Sequence, residues 1–267
     1  MENKFDQLEN QFTYAERTAH QEWIQLILSK VELKGKRVAD IGCGGGIYTR
    51  MLAEFGPSSV LGVDSSKRML EAAQEKTTND HIQYVFADGE NLAPLRDGSL
   101  DVVVERAVIH HLAELLPNMK EISRVLSPED GVAIIQDRTP EDCLVEGTST
   151  HIRGYLFECF PFLAETEKKR RFSDEAVQKA MLEAGFKRVE RVELWETRSV
   201  YSTMNELAED LQSRRGRTIL HELSDEQLNA FVRYISSKLP QEQEIIEKDR
   251  WSVWFGFRNE SGVGTIR

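Results

Sequence analysis

Short apolar runs alternate with helical patterns over residues 38–136. The apolar runs predict five strands: Val38–Ile41, Val60–Val63, Ile82–Phe86, Leu100–Val104 and Val132–Gln136. Apolar residues recur at helical spacing after the first, second and fourth of these strands, which predicts a helix in each of these connections, and Asp97-Gly98 predicts a turn before the fourth strand. This alternation favours parallel βα units in one sheet, with helices on both faces. Because such crossovers are right-handed, we expect an open, twisted sheet.

The rest of the chain is less regular and is divided by its patterns into segments. We interpret these as an N-terminal helical flank or lid at 1–36, a main domain at 37–259 with cap insertions at about 138–171 and 196–250, and a disordered tail at 260–267. Residues 138–171 show no sustained hydrophobic period, whereas 196–250 are predicted to be mostly helical. Two further strands are expected around Val189–Trp195 and at Trp251–Phe257.

The first predicted strand leads into a glycine-rich turn. Four of the five residues at 42–46 are glycines, Asp40 precedes them, and helix-forming sequence follows from Ile47. Glycine can adopt positive φ and allows a ligand close to the main chain. The next helix begins with N–H groups that lack intrahelical partners. Since ligands of open α/β sheets lie beyond the carboxyl ends of the strands, a nucleotide-like ligand is expected here.

The acids around this turn indicate which nucleotide. A dinucleotide fingerprint would place its third glycine at position 47, where this chain has Ile47. The carboxylate of Asp40 suits a positively charged amino group and would repel a pyrophosphate. Asp64 ends the second strand and can accept hydrogen bonds from ribose hydroxyls, and Asp88, before Gly89, can accept from an adenine amino group. The acids at the three strand ends therefore predict a binding site for a ligand that contains a cationic amino acid, a ribose and an adenine.

These motifs resemble those of the class I S-adenosylmethionine-dependent methyltransferases, most closely the small-molecule, UbiE-like branch (methyltransferase type 11). The resemblance covers about Val38 to Gln136. It implies a Rossmann-like, doubly wound, mostly parallel seven-stranded sheet with helices on both faces and a helical or irregular cap. It also implies that S-adenosylmethionine is bound and that S-adenosylhomocysteine is the product.

The resemblance also implies a set of cofactor-binding residues. Backbone atoms of the turn would line the methionine part beside Asp40, Asp64 would bind the ribose, two side chains would border the adenine, and the Asp88 turn would bind its amino edge. The full set is Asp40, Gly42, Cys43, Gly44, Asp64, Ser65, Met69, Asp88, Gly89 and Arg106. Cys43 is interpreted as a small apolar residue, not as a nucleophile.

The implied activity is in-line methyl transfer to a small-molecule acceptor. Because the methyl group on a sulfonium is electrophilic, correct placement of the acceptor supplies much of the catalysis. An oxygen or carbon acceptor needs a base, and the candidates are His111, His110, Tyr14 and His20. Tyr14, His111 and Phe160 are predicted to contact the acceptor, and no metal site is expected.

Two other functions stay open. A cofactor-binding module that regulates without turnover is suggested by Glu105 and Arg106, where relatives commonly have a small polar residue. An NAD-dependent oxidoreductase is favoured only by the βαβ pattern and Asp64.

The composition of the chain indicates which partners and which cellular compartment to expect. The chain has 34 Lys+Arg against 45 Asp+Glu, a net charge of −11, which disfavours nucleic acid as a partner. Its three cysteines match neither a disulfide framework nor a zinc site. With no signal-type N-terminus and no membrane-length apolar run, a cytoplasmic location without a membrane span is expected. The oligomeric state is left open.

Overall fold

The computed structural model describes residues 21–240 and 244–260. Its strands are β1 (Arg37–Ile41), β2 (Ser59–Asp64), β3 (Ile82–Phe86), β4 (Val102–Arg106), β5 (Val132–Asp137), β6 (Arg188–Tyr201) and β7 (Ile245–Phe257). Its helices are α1 (Gln21–Lys30), α2 (Ile47–Ala53), α3 (Lys67–Glu75), α4 (Leu115–Val125), α5 (Pro140–Cys143), α6 (Ile152–Cys159), α7 (Phe162–Arg170), α8 (Asp174–Glu183), α9 (Met204–Ser213) and α10 (Asp225–Lys238). Turns of 3-10 helix lie at Ile109–His111 and Thr218–Glu222.

The strands form one seven-stranded sheet in the order β3-β2-β1-β4-β5-β7-β6. Neighbours from β3 to β5 are parallel, and β7 is antiparallel to β5. The predicted doubly wound, mostly parallel sheet is therefore confirmed. The chain proceeds outward from β1 to β3 and then returns to β4 on the other side of β1. This reversal places the topological switch point at the carboxyl ends of β1 and β4, where ligands of such sheets bind.

The five predicted strands of the first half are all present. Central strands are buried on both faces, so Val38, Val103 and Ile134 have no exposed surface, and continuous apolar runs identified them. The boundaries differ slightly. β4 begins at Val102, because Leu100 forms only an isolated bridge to Leu126, and β5 continues to Asp137.

Local signals explain where several helices begin and end. The Ser66 hydroxyl accepts from Met69 N at the start of α3. Ser224 and Gln227 form the predicted capping box of α10. Gly56, at φ 72°, follows α2 in the left-handed region that terminates helices.

The chain folds as two compact units. Of the described residues, the first unit contains 21–137, 174–192 and 252–260, and the second contains 138–173, 193–240 and 244–251. The second unit has its own apolar core, which includes Leu163, Phe231 and Ile235.

Residues 138–171 contain more helix than their pattern indicated. They hold α5, α6 and α7, of 4, 8 and 9 residues. Such short helices present too few turns for a hydrophobic period to be visible in the sequence. The capping box of Thr139 and Asp142 at α5 was a local signal that the hydrophobic pattern does not show.

Candidate functional site

The glycine turn lies between β1 and α2, at the switch point. Gly42, Gly44 and Gly46 all have positive φ, at 70°, 52° and 74°. The amides of Gly42 and Cys43 both donate to the carbonyl of Val63, at 2.7 and 3.0 Å. The turn is thus tied to the end of β2.

Two of these glycines are required by the protein's own packing. A Cβ on Gly42 would overlap the Val108 side chain, and a Cβ on Gly46 would overlap the Tyr84 hydroxyl. Gly44 differs, since a Cβ there would meet only Met69 Cε, at 3.8 Å. Gly44 is therefore the position where the missing side chain leaves room for a ligand.

Asp64 joins the end of β2 to the glycine turn. Its Oδ2 accepts from Gly44 N and its Oδ1 from Ser66 N, both at 2.8 Å. An ionised carboxylate has about four lone-pair sites, so these two bonds are compatible with further donors. Ser65 beside it is exposed, whereas Met69 on α3 is 4% exposed.

Asp40 lies beneath the turn and is 3% exposed. Its Oδ2 accepts from the Thr49 hydroxyl at 2.6 Å. Burial raises the pKa of Asp40 to about 7, while the hydrogen bond from Thr49 and the charge of Arg106 oppose this rise. The Arg106 guanidinium lies over the Tyr48 ring, 4.4 Å from its centroid. Burial therefore favours the protonated form of Asp40 far more than is usual for an aspartate.

Cys43 was interpreted from the sequence as a small apolar residue, and its surroundings in the structure are consistent with this. It is buried, and burial raises the pKa of its thiol well above the usual value. Because the thiolate is the reactive form, this residue is suited to packing and not to nucleophilic attack.

The turn after β3 contains Asp88 and Gly89. Asp88 is exposed, its Oδ1 accepts from Glu90 N at 2.9 Å, and its carbonyl accepts from Asn91 N at 2.9 Å. The Gly89 carbonyl accepts from Nδ2 of Asn118 on α4 at 3.0 Å. This turn is thus held from within the protein while its acid faces outward.

The segment after β4 holds a histidine–aspartate pair. Oδ2 of Asp137, at the end of β5, accepts from His110 N at 3.2 Å and lies 2.7 Å from His110 Nδ1. A carboxylate at this distance assigns the ring proton to Nδ1, which leaves the Nε2 lone pair to act as a base. Ala107, at φ 57°, adopts a strained conformation just before this segment.

The two adjacent histidines differ in environment. His110 is partly buried against Asp137, whereas His111 is exposed, and their ring centroids are 3.9 Å apart. The contact with Asp137 gives His110 the oriented ring that a general base requires, whereas His111 was the leading candidate from the sequence.

Three further residues were predicted to contact the acceptor or to act as its base: Tyr14, His20 and Phe160. Tyr14 and His20 fall outside the described residues. Phe160 belongs to the second unit, where it packs against Phe162 and Phe231 at centroid distances of 6.1 and 6.5 Å. These contacts are those of a residue packed against that unit's core.

Sequence reasoning missed four residues that shape the site: Thr49, Val108, Asn118 and Asp137. The sequence contains a signal for Asp137, because this residue is a fourth acid that lies directly at the end of a strand. The sequence contains no such signal for Asn118 or Val108, because each acts through a contact with residues that are distant in the sequence.

Within residues 21–240 and 244–260, no group of three or more His, Cys, Asp or Glu side chains is placed to bind a metal ion. No helix in the described part of the chain has the length and apolar character needed to cross a membrane.

Part of the chain is similar in sequence to known methyltransferases. Residues 39–135 match the family model described as a methyltransferase domain. A demethylmenaquinone methyltransferase of Staphylococcus epidermidis is 32% identical over 141 residues, which cover 51% of this chain and 57% of that protein. The chain therefore spans little more than half the length of this relative.

Solved structures show the same fold. A protein of Anabaena variabilis assigned as a methyltransferase of an antibiotic biosynthesis pathway aligns with a TM-score of 0.68 at 22% identity, covering 90% of this chain and 98% of that one. The phosphoethanolamine N-methyltransferase 2 of Haemonchus contortus, in complex with S-adenosyl-L-methionine, aligns with a TM-score of 0.57 at 20% identity, covering 95% and 58%.

Proposed function

We propose that the protein is a class I S-adenosylmethionine-dependent methyltransferase that methylates a small-molecule acceptor, and the match of residues 39–135 to the model of a methyltransferase domain supports this. The observation that carries the proposal is the glycine turn, tied to Asp64 and placed at the switch point with Asp40 beneath it. When bound, the cofactor supplies an electrophilic methyl group, and S-adenosylhomocysteine remains after transfer.

The residues of the site fit this cofactor in three parts. Backbone atoms of Gly42, Cys43 and Gly44 would line the methionine part, where the absent side chain of Gly44 leaves space. Asp64 would accept from the ribose hydroxyls. Asp88 would accept from the adenine amino group, and its exposed carboxylate is oriented by the Glu90 amide.

The remaining members of the proposed site lie close to these groups. Ser65 and Met69 would border the adenine, and Gly89 would present its backbone to the same end of the cofactor. Arg106 would lie near the methionine part, because its charge already acts on Asp40.

Asp64→Ala is expected to weaken binding of S-adenosylhomocysteine by about 1–3 kcal/mol, because charge-assisted hydrogen bonds are lost. Calorimetric titration measures this change. Asp101→Ala is the matched control, since Asp101 also accepts a backbone N–H, from Arg37 at 2.7 Å, at the opposite edge of the sheet. Equal affinities in the wild type and Asp64→Ala would show that the ribose contact is misplaced.

Asp40 is expected to make stability depend on pH. Its folded-state pKa of about 7 lies above its ordinary value of 3.8, so between these values the folded protein binds more protons than the unfolded chain. The free energy of unfolding should therefore fall as pH rises from about 4 to 7. Asp40→Asn should remove this part of the slope in denaturant titrations at several pH values. Asp80→Asn, at an exposed position, should keep it.

We infer that the acceptor loses a proton to His110 during transfer. His110 Nε2 can take the proton because Asp137 holds Nδ1. The acceptor would then be a hydroxyl, enol or carbon acid, and the protein would place it in line with the sulfur–methyl bond. The name of the Staphylococcus relative, demethylmenaquinone methyltransferase, supports a small-molecule acceptor. We place the reaction in the cytoplasm.

A non-catalytic cofactor-binding module is the second candidate. The observation that favours it is the bulk of Glu105 and Arg106 at the end of β4, beside the turn that would bind the cofactor. Transfer of a labelled methyl group to any acceptor in a small-molecule screen would exclude it. The oxidoreductase alternative lacks support, because Ile47 occupies the position of the third glycine.

A further inference from the structure

A carboxyl group is completely buried at the end of β4. Glu105 has no exposed surface, and its partners in register are Ile41 on β1 and Ile135 on β5. Its Oε1 accepts from Asn118 Nδ2 at 2.9 Å. Asn118 is also fully buried, and the same Nδ2 donates to the Gly89 carbonyl. A chain of two hydrogen bonds therefore connects the central sheet to the Asp88–Gly89 turn.

The turn lies directly against this pair. A Cβ on Gly89 would be 3.2 Å from Asn118 Nδ2 and 3.5 Å from Glu105 Oε1. Any reorientation of the Asn118 amide would therefore be felt by the backbone of the turn. Asp88, in the same turn, is the residue that we place at the adenine amino group.

The surroundings of Glu105 favour its neutral form. The groups that face Glu105 are the neutral amide of Asn118 on α4, isoleucines on β1 and β5, and Gly89 in the turn. The charge that acts on Glu105 is that of Asp137. Burial is the main cause that raises the pKa of Glu105 to about 8, and Asp137 raises it further, against the hydrogen bond from Asn118. Oε2 has no hydrogen-bond partner among the described residues, which suits a carboxylic acid better than a carboxylate.

We propose that Glu105 is a positioning residue, which in its protonated form holds the Asp88–Gly89 turn, through Asn118, in the conformation that binds the adenine end of the cofactor. The inference rests on the proposed function. Ionisation would place an unpaired charge on a buried oxygen, and relief of that charge requires Asn118 to turn its amide group. The Gly89 carbonyl would then lose its donor, and the turn would lose its fixed geometry.

Calorimetric titration of S-adenosylhomocysteine into the full chain between pH 6.5 and 9.5 tests this. Wild-type affinity is expected to fall by up to about tenfold for each pH unit above 8, because one proton is coupled to binding. Glu105→Gln, which cannot ionise, should lack this loss. Glu71→Gln removes an exposed carboxylate of α3 and should behave as the wild type. Ionisation of the ligand itself is common to all three proteins and cancels in their comparison. An equal alkaline loss in Glu105→Gln, or none in the wild type, would overturn the proposal.

A second measurement keeps the test independent of ligand binding and of the glutamine variant. Amide hydrogen exchange of Gly89 and Glu90 in the free protein, corrected for intrinsic rates, should show reduced protection above pH 8 in the wild type. Asn118→Ala should show reduced protection at every pH. Unchanged protection in both proteins would contradict the positioning role. If the wild type bound no S-adenosylhomocysteine at any pH, the proposed function would fail, and exchange would still decide what Glu105 does.

Discussion

Replacing His110 by glutamine is expected to lower kcat by about 10²- to 10⁴-fold, the usual contribution of a general base. Glutamine can still donate to Asp137, but it has no basic nitrogen in place of Nε2. The cofactor affinity should change little, because the base acts on the acceptor and not on the donor. Single-turnover transfer of a labelled methyl group, beside a calorimetric titration of the cofactor, separates the two quantities.

His111→Gln is the matched control for this experiment. It makes the same chemical change one residue away, at an exposed ring. We expect it to retain most of kcat. A larger loss for His111→Gln than for His110→Gln would reassign the base to His111. Asp137→Asn should also lower kcat, since an amide does not impose the same ring tautomer on His110.

Replacing Gly42 by alanine is expected to destabilise the fold by about 2–5 kcal/mol, the sum of a left-handed backbone cost and an overpacking cost. Gly42 has φ 70°, and its Cβ would overlap Val108. The turn or the segment after β4 must therefore shift, and both carry parts of the proposed site. Cofactor binding should be lost together with stability. Denaturant unfolding and calorimetry measure the two effects.

Gly35→Ala separates the two causes of this destabilisation. Gly35 has a similar φ of 73°, but a Cβ there would meet nothing within 4 Å. The Gly35→Ala substitution should lower the free energy of unfolding by only about 1–2 kcal/mol and leave cofactor binding intact. If the two alanine variants were equally stable, the contact between Gly42 and Val108 would not matter.

Much of the fold could be predicted because the signals are local. The central strands are buried on both faces, and this produces continuous apolar runs such as Val102–Val104. Glycines at positive φ and the capping box at Ser224 also act within a few residues of their own position. The short helices of 138–171 were missed because no single one repeats its apolar face often enough.

The three acids that we propose for cofactor binding could be identified for a related reason. In a parallel sheet the strand ends meet at one edge, so Asp40, Asp64 and Asp88 could be placed together from the order of strands alone. Contacts between residues that are distant in the sequence could not be predicted in this way. Nothing in the sequence indicates that Asn118 donates to both Glu105 and Gly89, or that Asp137 contacts His110.

The most direct test of the central claim is calorimetric titration of the full chain with S-adenosylhomocysteine, with NAD as the comparison ligand. We predict saturable single-site binding of S-adenosylhomocysteine, weakened by Asp64→Ala and kept by Asp101→Ala, and no binding of NAD. A folded protein that gave no heat of binding with S-adenosylhomocysteine, or that bound NAD instead, would contradict the account.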